Sequence, residues 1–345
     1  MHVDSEAVCS GGTFHEDACD KKALDLSESF WNDVALPSLQ TAFPEDWMRI
    51  GAGLVGNGSD CFGYDDEISR DHDWGIEFLL WLENSDYERL AERLGVWKQH
   101  LREENPTVPF RVISAYGLRE SILTPDRFYA SLIGFPQGPQ SITDWRRVPE
   151  ANLALAVNGR VFTDPVGRFS ATRQHVLDYY PEDLRRKKIA ARCLEMAQTG
   201  QYNFLRCAQR KDTVAKEISL SKFAQSTISM TFLLNRRFMP YYKWSFHAMR
   251  ELPVLADEIV DDLERLWSGE VVKGDLDAGT VLLRPISALD KGRAVLVEQI
   301  CGHIVDELRH QGLSDVDDTF LVAHGERVQS LIQDPDLARI PTQYE

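Results

Sequence analysis

Apolar residues recur at helical spacing from Leu24 to Phe43, with Leu26, Phe30, Val34 and Leu39 on one stripe. The spacing predicts an opening helix that Pro37 kinks or ends. A short apolar run from Met48 to Val55 follows, and the pattern then breaks into a polar, acid-rich stretch. Aromatic and aliphatic residues from Trp74 to Leu82 predict a strand, pairing with the earlier run across the polar turn. Leu90, Leu94, Trp97 and Leu101 mark the buried face of a helix over 85–104, which Pro106 closes. Phe110 to Tyr116 reads as another strand.

After Asp144 the chain runs through the apolar stretch Leu153 to Val157 to a short strand, Arg160 to Phe162, and a turn at Asp164-Pro165-Val166-Gly167. Beyond it the pattern is helical. Pro181 at a first helical position, with Glu182 and Asp183 in the first turn, starts one helix. Others are expected over about 213–237, 253–267, 287–312 and 315–333. The fold class predicted is α+β: a small mixed-sheet domain over 23–167, then a helical bundle over 168–345. Residues 1–22 are polar and aperiodic and are expected to form a disordered tail.

Length and charge narrow the picture. A chain of 345 residues is long enough for two ordinary domains with buried cores. No run approaches the length needed to cross a bilayer and no basic-then-apolar leader opens the chain, so no membrane partner and a cytoplasmic location are expected. A net charge of −16 opposes any broad polyanion-binding surface, so no long nucleic acid is expected as a partner. The basic runs Arg185 to Lys188 and Arg206 to Lys211 could line a local cleft, though solvated helix faces are their commoner meaning. Six cysteines lack zinc or disulfide spacing; Cys61 reads as a small buried filler.

The chemistry concentrates between 56 and 75. Gly58-Ser59 is followed, after eleven residues, by Asp71 and Asp73 leading into the apolar strand. Strand alternation sends residues two apart to one face, so the two carboxylates can converge on a hard cation, Mg²⁺ or Mn²⁺. Glycine lets backbone approach a phosphate closely, and the serine adds a hydroxyl beside the N–H groups of a turn. Gly51-Ala52-Gly53-Leu54-Val55-Gly56 satisfies the dinucleotide fingerprint, but a polar acidic loop follows it where a helix should. No P-loop, nucleophile elbow or zincin motif occurs.

The Gly-Ser pair, the gap and the Asp-x-Asp at the head of a strand resemble the DNA polymerase β-like nucleotidyltransferase superfamily. The longer string from Gly58 through Tyr64-Asp65-Asp66-Glu67, Ser69-Arg70-Asp71-His72-Asp73 and Trp74-Gly75 resembles the family catalogued as domain of unknown function 4037. Gly159 to Asp164, Tyr179 to Asp183 and Pro240 to Trp244 agree with it, so the resemblance spans about 25–340. It implies a small catalytic sheet domain followed by a helical domain, with the substrate in the cleft between them. The activity implied is transfer of a nucleoside monophosphate from ATP or another nucleoside triphosphate onto a hydroxyl of a small-molecule or protein acceptor.

On that reading Asp71 and Asp73 bind the metal, Gly58 and Ser59 hold phosphates, and Arg70 either holds a phosphate bidentately or pins Asp71 by a salt bridge. Arg206, Arg210 and Lys243 are the helical-domain candidates for the nucleotide. Salt-bridged surface roles are the alternative for the arginines, and aromatic packing for Lys243. The superfamily's third carboxylate is missing from Phe110 to Tyr116, where Val112, Ile113 and Ser114 stand; Asp164 and Glu120 are the nearest replacements. Asp164 could equally be a turn residue bonding its own backbone. Glu77 shares strand parity with the pair and reads either as facing the cleft or as a solvated edge residue. Acids 65–67 suit capping and turn roles. The competing function is a nucleotide-binding regulatory protein that has lost its chemistry; one half of a toxin and antitoxin pair rests on fold analogy alone.

Overall fold

The structure, a computed structural model, describes residues 21–71, 74–111, 121–274, 276 and 282–345. It is α+β, with a small four-stranded mixed sheet and many helices. By their contacts the residues divide into two compact units: the chain to Ser141 together with Asn152–Asp178, and Ile142–Ala151 together with Tyr179–Glu345. Most of the expected N-terminal tail, residues 1–20, lies outside the described residues.

The expected opening helix is present in two pieces. Helix α1 (Ala23–Phe30) widens into a π-helical turn, Trp31–Ala35, and continues as α2 (Leu36–Ala42). Pro37 lies in the first turn of α2, where its missing N–H is tolerated, and the wide turn ahead of it accommodates the ring without ending the helix. Leu26, Phe30 and Leu39 of the sequence stripe are buried.

The run from Met48 begins with a 3-10 turn, Trp47–Arg49, and only Gly51–Leu54 is strand β1. Helix α3 (Ser59–Phe62) and a 3-10 turn, Ile68–Asp71, follow. The expected strand 74–82 is regular only over β2 (Leu79–Trp81), with a single bridge from Ile76 to Phe110. Gly75 explains the interruption: its φ is +132°, and an added Cβ would stand 2.5 Å from the Pro109 carbonyl. Of the strand expected at 110–116, residues 112–116 lie outside the described residues.

Helix α4 (Asn84–Glu104) buries Leu90, Leu94, Trp97 and Leu101 as their spacing predicts. Strand β3 (Ile122–Leu123) and α5 (Pro125–Ile133) follow; α5 is capped by Thr124 and ended by Gly134 in a left-handed conformation. Then come α6 (Ile142–Arg147), α7 (Glu150–Val157), β4 (Arg160–Thr163) and α8 (Arg168–Leu177).

Strand order is β3-β2-β1-β4, with β1 antiparallel to both neighbours and β2 parallel to β3. One face, through Ile50, Ala52 and Leu80, packs in a core with α1, α2 and α4. The other carries Trp81, stacked on Phe169 of α8 at 4.0 Å between ring centres. Close packing around β1 accounts for two of the fingerprint glycines. A Cβ at Gly51 would fall 1.9 Å from the Trp81 indole nitrogen, and one at Gly53 would fall 2.5 Å from the Arg160 carbonyl.

The helical unit runs from α9 (Glu182–Met196) through a π-helical segment, Ala197–Phe204, into α10 (Leu205–Arg210), α11 (Thr213–Leu234) and α12 (Tyr242–Met249). Pro181 stands at the cap of α9, one place before its first residue. Helices α13 (Ala256–Arg265), α14 (Ala288–His310), α15 (Leu321–Gln329) and α16 (Pro335–Arg339) complete it. The helix expected over 315–333 is shortened to α15, because buried His324 reaches back to Ser314 at 2.8 Å and to the Asp318 carbonyl at 2.9 Å, holding that stretch in a loop. Helix α15 closes on α9 at Gly325, whose Cβ would meet Leu194 at 2.5 Å. Among the described residues no helix is long and apolar enough to cross a membrane.

Candidate functional site

Strand β1 delivers the chain to the Gly-Ser turn. Gly58 has a φ of +124°, a conformation that side chains rarely adopt, and Ser59 is the first residue of α3. Two braces hold the turn. Asn158, just before β4, accepts from the Gly56 N–H at 2.7 Å and donates to the Gly56 carbonyl at 2.6 Å. Arg173 of α8 in turn donates to the carbonyls of Asn158 and Gly159, at 2.7 and 3.0 Å. On the other side Asp60, 1 % exposed, forms a buried ion pair with Arg111 at 3.0 Å, tying α3 to the chain segment paired with Ile76.

The sheet register orients the rest. Gly53 pairs with Leu79 and Gly51 with Trp81, so β2 begins at the end of the sheet where β1 departs for Gly58-Ser59. The 3-10 turn Ile68–Asp71 precedes β2 in the chain. His72, Asp73 and Glu120 lie outside the described residues, as do the side chains of Arg70 and Asp71.

The neighbouring acids have structural partners. Asp65 is buried and its Oδ2 accepts from the Ala23 N–H and the Trp74 indole N–H, each at 2.9 Å. Asp66 binds the Ser69 N–H at 2.8 Å and the Ser69 hydroxyl at 2.7 Å. Cys61 is buried, as its reading as a filler expects.

Glu77 corrects both of its sequence readings: it is neither in a cleft nor solvated. At 4 % exposure it lies beneath the sheet, with Lys98 donating to Oε1 and Arg102 to Oε2. Burial opposes its ionisation, but the two cations outweigh burial and hold the carboxyl below its usual range.

Asp164 also requires a correction. Thr163 pairs with Ala52 and Arg160 with Leu54, so Asp164 stands at the end of the sheet opposite to Gly58-Ser59. Its Oδ1 accepts the Trp81 indole N–H at 2.9 Å and its Oδ2 the Ser170 N–H at 2.8 Å. The carboxylate thus joins β2 to the first turn of α8, where negative charge is favoured. The register does not bring it to the turn as a third catalytic acid.

In the helical unit Arg206 and Arg210 sit four apart on α10 and are exposed; the helix ends at Arg210, with Lys211 left-handed. Arg206 stacks on Tyr202 at 4.6 Å, and Lys243, exposed on α12, lies 5.0 Å from the Trp244 ring centre. Among the described residues none of these three cations is paired with a carboxylate. Sequence reasoning missed Asn158, Arg173, Asp60 and Arg111. Asn158-Gly159 was the one available signal, because a polar residue ahead of a turn glycine can bond neighbouring backbone.

Residues 145–245 match the model of a family described as Domain of unknown function (DUF4037). That supports the DUF4037 family. The stretches Gly159 to Asp164, Tyr179 to Asp183 and Pro240 to Trp244 fall inside the matched span, as does Asn158, while Gly58 to Gly75 falls outside it. The nucleotidyltransferase resemblance therefore stands on the residues of that stretch alone. No curated protein and no solved structure matches the chain.

Proposed function

We propose that the chain is a divalent-metal-dependent nucleotidyltransferase that moves a nucleoside monophosphate, from ATP, onto a hydroxyl of a small molecule or protein. The observation that carries this reading is the register of β1 and β2. It starts β2, the strand that follows Asp71-x-Asp73 in the sequence, at the end of the sheet where β1 departs for the Gly58-Ser59 turn, with Gly58 in a conformation suited to close phosphate contact. Two carboxylates two residues apart suit Mg²⁺ or Mn²⁺, which supplies charge neutralisation at the phosphates when bound. Asp71 and Asp73 hold the ion, while the backbone of Gly58 and the hydroxyl of Ser59 orient the phosphates. Arg70 adds a guanidinium beside them. Catalysis on this reading is positioning plus charge neutralisation.

A second reading has a specific observation behind it. Asp164, the described substitute for the third carboxylate, belongs to the opposite end of the sheet. That favours a protein which binds a nucleoside triphosphate and metal without turnover, in a regulatory role. Melting curves with ATP, with and without Mg²⁺, test both readings, since a ligand of the native state raises the melting temperature. Replacing Asp71 and Asp73 together by Asn should abolish the metal-dependent shift. Release of pyrophosphate from ATP in the presence of cell extract as the acceptor source separates enzyme from binder. A wild-type shift retained in the double variant overturns both.

A further inference from the structure

Arg102, Arg111 and Arg168 of the sheet unit each have a carboxylate partner: Glu77, Asp60, and Glu83 with Asp126. Arg173 has none among the described residues. Its bonds go to two main-chain oxygens, that of Asn158 from Nη1 at 2.7 Å and that of Gly159 from Nη2 at 3.0 Å. The side chain is partly buried, and burial pulls its pKa below the usual arginine value, with the Tyr129 phenol working the other way.

Part of this arrangement is structural. Asn158 follows the last residue of α7, so its carbonyl lies at the C-terminal end of that helix, where a cation is favoured. A guanidinium carries five N–H donors, however, and the two carbonyls take two of them. Three donors remain, and carbonyl oxygens orient a charge without cancelling it. A partly desolvated charge with no counter-charge is unfavourable unless an anion completes it.

The position of Arg173 says which anion. Arg160 pairs with Leu54, the last residue of β1, and a Cβ on Gly159 would stand 2.0 Å from the Leu54 carbonyl. The backbone that Arg173 grips therefore lies directly against the departure of β1, and Asn158 itself holds Gly56. From Gly56 to Ser59 is three residues, at most about 11 Å of chain. A single phosphate fills a turn of this kind, whereas a chain of two or three extends beyond it and brings further charge towards the guanidinium, whose planar fork suits phosphate oxygens.

We propose that Arg173 is a phosphate-binding residue that selects a polyphosphate chain, with the Gly58-Ser59 turn holding one phosphate and the three remaining Arg173 donors serving another. The proposal rests on the reading of that turn as a phosphate loop and assigns the sheet unit a cation of its own for the nucleotide.

Calorimetric titration of the full chain with adenosine, AMP, ADP and ATP in Mg²⁺, at two or more salt concentrations, tests it. Wild-type affinity should rise with the number of phosphates. Arg173→Gln should weaken ATP about tenfold or more, leave adenosine unchanged, and make ATP binding less sensitive to salt, because one charge facing the phosphates has gone. Arg173→Lys should recover part of the affinity and the full salt sensitivity. Asn158→Ala is the control for the brace: it disturbs the turn but keeps the charge, so its salt sensitivity should match wild type. Equal ATP binding in wild type and Arg173→Gln overturns the proposal and leaves the nucleotidyltransferase reading standing. A loss in Arg173→Gln that falls equally on adenosine, with wild-type salt sensitivity, also overturns it and leaves a structural brace. Absence of ATP binding by the wild-type chain removes the phosphate-loop reading and this proposal together. If Arg173→Gln does not fold, the arginine Nε–H resonances of the wild-type chain decide, with Arg173 assigned by its absence in Arg173→Lys. Inorganic tripolyphosphate with Mg²⁺ should shift the Arg173 resonance, and an unmoved resonance under saturation overturns the proposal.

Discussion

The side chain of Asn158 forms both hydrogen bonds that a neighbouring strand would offer to Gly56, accepting from its N–H and donating to its carbonyl. Gly56 lies between β1 and Gly58, so this amide continues the sheet by one pairing where no strand exists. It fixes the backbone from which the Gly58-Ser59 turn departs.

Asn158→Ala should therefore destabilise the protein. It leaves a buried N–H and a buried carbonyl without partners, a loss of about 2–4 kcal/mol. Asn158→Asp restores only the acceptor and should fall between wild type and Ala. Urea denaturation measures both. An alanine variant as stable as wild type would show that Gly56 finds other partners and that the clamp does not set the turn.

Glu77 gives a pH prediction. Its carboxyl is held below the ordinary glutamate value of 4.5, so the ion pair with Lys98 and Arg102 contributes stability that is fully present above the unfolded value. That contribution is lost as pH falls through the lower, folded value. The stability difference between wild type and Glu77→Gln should thus be constant near neutrality and shrink in acid below pH 4.5. A difference that grows in acid would mean that the buried carboxyl is protonated in the folded protein.

What was legible in the sequence was periodic. Leu90, Leu94, Trp97 and Leu101 located α4 because a helix repeats its buried face every three or four residues. Glu77 was not legible: its meaning depends on Lys98 and Arg102, more than twenty residues away, which no local pattern connects to it. Asp164 misled for a related reason. It was one of the nearest acids by sequence to replace the missing third carboxylate, and equally a turn residue, whereas the antiparallel register of β4 on β1 carries it to the end of the sheet away from Gly58-Ser59. The glycines at 51 and 53 imitated a phosphate fingerprint, but one answers to an indole across the sheet and the other to the Arg160 carbonyl on β4.

Those glycines give a third prediction. Gly53→Ala would put a methyl 2.5 Å from the backbone oxygen of Arg160, which cannot turn aside, and should destabilise by about 1–3 kcal/mol or more. Gly51→Ala meets the Trp81 indole, buried and stacked on Phe169, and should disturb the tryptophan emission as well as stability. If both variants melt like wild type, the two glycines are not sterically required, and a phosphate-binding role for the segment regains its case.

Asp164 allows structure and chemistry to be separated. Its two oxygens accept from two donors, the Trp81 indole and the Ser170 N–H. In Asp164→Asn the amide can accept through one oxygen only, and its NH2 group must face a second N–H donor. The variant also loses the negative charge ahead of α8, which interacts favourably with the helix N-terminus. The expected result is a stability loss of about 1–3 kcal/mol and altered tryptophan fluorescence. The Mg²⁺-dependent shift given by ATP should persist in the folded fraction, because the register keeps Asp164 away from the Gly58-Ser59 turn. Any pyrophosphate release seen for wild type should persist per folded molecule. Wild-type stability combined with loss of the ATP shift or of turnover would reverse this assignment and restore Asp164 as the third carboxylate.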